Sequence, residues 1–134
     1  MTTAQDMITG ALKDLGVIQR TEVPEGQESL DALAVLNFMC SAWIYEDVDM
    51  EWLTLALTDV VPYPEDQMLA IRSNLAVRIA TQYDVQPNPV ILAMASEGFK
   101  QLQRAYLDVG TLGIDNAIKG QYQPNGYFRG SWSI

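Results

Sequence analysis

The stretch MLAIRSNLAVRIATQY, residues 68–83, spaces Met68, Ile71, Leu75, Ile79 and Tyr83 three or four positions apart. That spacing sets five apolar side chains on one face of a helix. Ala76 and Ala80 sit beside the stripe and leave room for a neighbouring helix to approach closely. Arg72 and Arg78 are the only arginines between Arg20 and Arg104, and both fall on this helix. Arg78 reads either as a core-edge residue paired with one of the chain's many acids or as an intersubunit contact.

Working outward, Pro64-Glu65-Asp66 opens this helix with proline in the first turn and two acids near the positive end of its dipole. It closes near Gln82, before a turn over 84–87. Asn88-Pro89 then supplies an N-cap and first residue for a helix ending near Asp108. Its buried stripe is Ile91, Ala95, Phe99 (or Gly98), Leu102, Ala105 and Tyr106. The small residues Ala93, Ala95, Ser96 and Gly98 point to tight packing against another helix.

Toward the N-terminus, Trp52–Val61 alternates in part and is rich in β-formers, so it reads as an extended piece or short strand ended by Pro62. Before it, Glu46, Asp47, Asp49 and Glu51 read as a solvated turn. A helix from about Gln27 to Tyr45 precedes that turn, with Leu30, Leu33, Leu36, Cys40 and Trp43 (with Ile44) along one face. It is rich enough in apolar residues to be buried on more than one side. A first helix, capped by Thr2 or Thr3, runs to about Leu15 and stops at Gly16. Its inner face is Ala4, Ile8, Ala11, Leu12 and Leu15.

The fold class is therefore mainly α: a small bundle of about four helices with a short extended segment over residues 1–108. An extended C-terminal arm, 109–134, follows. The arm carries five glycines and Pro124, with Tyr122, Tyr127, Phe128 and Trp132 among them. Such a segment cannot build its own core. It reads either as a loosely ordered end or, as favoured here, as an arm that orders on a partner with its aromatics as anchors.

Composition narrows the function classes. At 134 residues and 49% apolar, the chain suits one globular domain. No apolar run is long enough to cross a bilayer. MTTAQDMITG lacks the basic region and apolar core of a secretory signal. Cys40, the one cysteine, allows no internal disulfide and lies in an apolar stretch as a small core residue. The net charge of −9 is unevenly spread: residues 1–66 hold 13 acids and 2 bases, residues 67–134 hold 4 acids and 6 bases. An acidic half is poor material for gripping phosphates, which argues against ordinary nucleic-acid binding.

The motifs of catalysis are missing. There is no histidine, hence neither the commonest general base nor the commonest metal ligand. One cysteine makes no zinc motif, Gly110 and Gly113 make no phosphate loop, and no serine has an activating partner. The acids at 46–51 lack the turn glycine and final glutamate of a calcium loop. No cofactor is expected.

Four blocks in order carry a family resemblance. They are Ala11-Leu12-Lys13-Asp14-Leu15-Gly16-Val17, the series Leu33, Leu36, Met39 and Trp43, the block Asn74–Tyr83 (NLAVRIATQY), and the alanine-rich segment 90–107 after a proline turn. Together they resemble the head-to-tail adaptor family of short-tailed bacteriophages, also called packaged-DNA stabilisation or tail accessory proteins. The resemblance covers roughly residues 4–107.

It implies a helical virion protein, not an enzyme, that forms a homo-oligomeric ring of about twelve copies beneath the portal protein. Made in the host cytoplasm, it would act at the head-tail junction of the virion. There it would extend the DNA channel, retain the packaged genome and form a platform for tail proteins (nozzle, tailspike or fibre). Double-stranded DNA would pass through an acidic lumen without specific binding. Arg72, Arg78 and Arg104, with Tyr122, Tyr127, Phe128, Arg129 and Trp132 of the arm, are the expected portal or intersubunit contacts. Two alternatives remain: another phage tail-completion or connector protein, and a peptidoglycan hydrolase acting during infection through two carboxylates such as Glu46 and Asp49.

Overall fold

A computed structural model describes residues 1–107. These form four helices: α1 (Ala4–Leu15), α2 (Gly26–Ala42), α3 (Glu65–Ala80) and α4 (Pro89–Ala105). A 3₁₀ turn, Trp43–Glu46, prolongs α2, and another, Thr81–Tyr83, prolongs α3. The expected arm, with Tyr122, Tyr127, Phe128, Arg129 and Trp132, lies outside the described residues.

The axis of the bundle is α3. It packs most extensively on α4 and also touches α1 and α2. Ile71, Leu75, Ala76 and Ile79 are fully buried on it, as the 68–83 stretch requires, and Ala70, Ser73 and Ala80 are nearly so. Met68 and Tyr83, the ends of the expected stripe, are only partly buried. Small residues let α4 come close. A Cβ built on Gly98 would stand 2.7 Å from the Ala70 Cβ and 2.9 Å from its Cα. The Asn74 amide straddles the same contact, donating to Ala70 O at 2.8 Å within α3 and to Ala95 O of α4 at 3.0 Å.

Local signals place the helix ends. Thr3 caps α1 reciprocally with Asp6: the Asp6 N–H donates to Thr3 Oγ1 and the Thr3 N–H to Asp6 Oδ2, both at 3.1 Å. Gly16, at φ 76°, closes the helix in the left-handed conformation that glycine adopts at least cost. Asn88 caps α4 by accepting the Val90 N–H at 2.8 Å, and Pro89 begins it.

No strand forms among the described residues. The segment 52–61 is extended in part and makes a single antiparallel bridge, Thr3 to Val60. Its role is to finish α1: Leu57 O accepts the Gln5 N–H at 3.0 Å and Asp59 O the Ala4 N–H at 2.9 Å. Those are two of the first-turn donors a helix leaves without partners of its own.

Asn37 of α2 anchors the other end of that segment. Its Oδ1 accepts the Trp52 indole N–H and the Leu55 N–H, each at 3.0 Å, and its Nδ2 donates to Leu55 O at 3.0 Å. Trp52 stacks on Tyr63, ring centroids 5.4 Å apart, and the Tyr63 hydroxyl donates to Met50 O at 2.8 Å. Burial, chiefly, pushes the Tyr63 pKa up to about 12. Asn37→Ala strips three partners from one loop. It is expected to destabilise the chain by about 2 kcal/mol in urea titration, with the Trp52 emission shifting red below the main transition. An unchanged midpoint would sink this assignment.

Two expectations need correction. The face α2 turns inward is Ser29, Ala32, Leu36, Met39, Cys40 and Trp43, so Leu36, Cys40 and Trp43 are inside as expected but Leu30 and Ile44 are not. Nor is α2 covered on more than one side among the described residues, since Leu30, Phe38, Ile44 and Tyr45 lie open to solvent. The inner face is set by close approach to α1, where Gln5 Nε2 donates to Ser29 Oγ at 3.1 Å. On α4, Ala95, Gly98 and Leu102 are buried, Ile91, Phe99 and Tyr106 partly so, and Ala105 is exposed.

Candidate functional site

The three expected arginines have different surroundings. Arg72 is engaged within the chain: its Nε lies 2.9 Å from Asp14 Oδ2, and its stem crosses Gly10, where a Cβ would meet Arg72 Cδ at 2.8 Å. It braces α1 against α3, with its side chain 38% exposed, so its ionic contribution is that of a screened pair. Arg104 is exposed on the last turn of α4. Arg78, on the last turn of α3, is exposed and makes no ion pair among the described residues.

Arg78 borders a cleft of about 370 Å³ between the end of α2, α3 and α4. Lys100, from α4, stands on the same cleft. Trp43 and Phe99 contribute its apolar part, packed edge to face with centroids 5.3 Å apart. Gln103 closes one end by donating through Nε2 to Glu46 O at 3.1 Å. Glu46 also lines the cleft, so its two cations face one acid, and the excess positive charge beside an aromatic wall favours anionic groups, carboxylates of another chain among them. Lys100 was not singled out in the sequence, where nothing but its charge marks it.

Cys40 does not line this cleft. It is buried, and desolvation raises its thiol pKa above the ordinary value, opposed in part by the Arg78 charge. Burial keeps the thiol protonated and accords with a packing role.

The acids of 46–51 project into solvent, as a solvated turn requires: Glu46, Asp47, Asp49 and Glu51 are all exposed. Asp47 and Glu51 have positive φ, 67° and 52°. The Asp49 carboxylate accepts the Glu51 N–H at 3.1 Å, so part of this cluster shapes its own turn. Among the described residues no group of three or more potential ligands gathers for a metal ion, and no helix is long and apolar enough to cross a membrane.

No family model matches this chain, and no curated protein matches it.

Proposed function

We propose that the chain is a virion structural protein, a head-to-tail adaptor whose copies form a ring on the portal of a short-tailed phage. In that role it prolongs the DNA channel, retains the packaged genome and receives the tail. The residue blocks at 11–17, 33–43, 74–83 and 90–107 motivate this reading. The structural observation that carries it is the separation of charge. Arg78 and Lys100 stand at one cleft on α3 and α4, in a chain whose residues 1–66 hold 13 acids and 2 bases. A ring subunit needs two unlike surfaces that complement each other around the circle. A cationic cleft and an acidic remainder supply such a pair, and acidic walls leave DNA free to slide.

The test is the mass of the purified protein by native mass spectrometry, alone and mixed with portal rings of the same phage. The expected result is a monomer that adds about one copy per portal subunit. Reversing both cations, Arg78→Glu with Lys100→Glu, should lower occupancy about tenfold at low salt and less at high salt, because the contact is electrostatic. A chain that ignores portal rings at every salt concentration would refute the adaptor reading. Salt-independent assembly of the double variant would remove the cleft from it.

A further inference from the structure

We propose that the outward face of α2 is a docking site for the chain's own C-terminal segment, residues 108–134. The inference is independent of the ring.

The face is apolar and open. Leu30 is 52% exposed, Phe38 68%, Ile44 50%, Tyr45 90% and the neighbouring Leu53 77%. Leu30, Ala34 and Phe38 recur at helical spacing opposite the buried row Ala32, Leu36 and Met39, with exposed Gln27, Asp31 and Ser41 beside them, and Tyr45 follows in the 3₁₀ turn. Several large apolar side chains left in water along one side of a helix mark a contact surface. The face lacks a partner among residues 1–107.

Three observations select the occupant. The first is where the described chain ends. Gln103 of α4 bonds the carbonyl of Glu46, the residue after Tyr45, and the described chain ends four residues beyond Gln103, at Leu107. The second is length. From Leu30 to Ala42, where α2 ends, is 12 residues of helix, about 18 Å, whereas 108–134 offers 27 residues, each spanning about 3.3 Å when extended. The third is chemistry. The segment brings Leu112, Ile114, Ile118, Tyr122, Phe128 and Trp132, and its two acids, Asp108 and Asp115, are balanced by Lys119 and Arg129. Apolar anchors on a segment of no net charge therefore match the apolar side chains of the face.

The tether decides between this chain's segment and a neighbour's. A short covalent link gives an effective concentration in the mM range, above that of a second copy in dilute solution. Docking in cis thus keeps the apolar face covered in the free subunit.

A benzophenone amino acid in place of Phe38 tests this in the full-length chain. Position 38 is 68% exposed, so the replacement leaves the core untouched. Irradiated at low concentration, the protein should give an adduct of monomer mass whose linked peptide lies within 108–134. Introducing Tyr127→Ser, Phe128→Ser and Trp132→Ser together should cut that adduct severalfold and raise binding of an apolar dye severalfold. An adduct to another copy, an adduct confined to residues 1–107, no adduct at all, or a triple variant that behaves as the parent would each overturn the proposal.

Discussion

Gly98→Ala is expected to lower the stability of this chain, although alanine is the better helix former. Inside a helix the exchange alone favours alanine by about 1 kcal/mol. Against this stands the Ala70 backbone: the added methyl would lie 2.9 Å from Ala70 Cα and 2.7 Å from its Cβ. Neither atom is the far end of a flexible side chain, so α3 and α4 must separate. Separation also stretches the Asn74 bond to Ala95 O, now 3.0 Å, and buried amides left without a partner cost about 1–3 kcal/mol. Overpacking in a tight contact costs about 1–3 kcal/mol by itself. The clash wins, with a net loss of about 2 kcal/mol and a Tm lower by roughly 10 °C for a domain of this size. Thermal unfolding followed by circular dichroism measures it, and Ala70→Gly in the same chain should restore only part of the loss, because the 2.9 Å approach to the Ala70 Cα remains and glycine inside α3 costs about 1 kcal/mol. A variant that melts higher than the parent would mean that the helices are not in contact at Gly98.

That contact was partly legible in the sequence, because small residues cluster on the early turns of α4, although only Ala95 and Gly98 of that cluster are buried. So were the Thr3, Gly16 and Asn88 caps, whose chemistry spans three or four residues. The inner face of α2 was harder. Its apolar residues surround the helix, so a period of 3.6 picks no side, and Ser29 and Ala32 are inside because α1 comes near. That is information held by Gln5, 24 positions away. The same holds for Arg72, whose partner Asp14 is 58 residues distant. It holds too for 52–61, whose extended character was readable but whose acceptors serve the amides of Ala4 and Gln5. At the candidate site Arg78 stood out by its scarcity on an apolar helix. Lys100 joins it only through the α3–α4 packing.

Leu75→Ala should have the largest effect of any single truncation, because of where α3 lies. Leu75 is fully buried, and its helix is the one that touches each of the other three. Removing its branched end loses the transfer energy of three carbons and leaves a cavity that rigid neighbours cannot close. For Leu→Ala in cores the sum is about 2–5 kcal/mol, against a total stability of about 5–15 kcal/mol for a domain. Leu69 on the same helix offers the control, since it is 47% exposed. Leu69→Ala should cost below about 1 kcal/mol, because much of its area is already in water. Urea titrations of the two variants should therefore differ by about 2–4 kcal/mol with similar slopes. Equal losses would say that α3 is not the axis of the bundle. The expected gap also bears on the cleft: Asn74 and Arg78 are held by the same helix, so, on the proposed adaptor reading, a loosened α3 should weaken binding to portal rings even with both cations intact. Arg78→Glu with Lys100→Glu should reduce binding with little change in the urea midpoint, and this pairing of readouts separates a folded scaffold from the charges it presents.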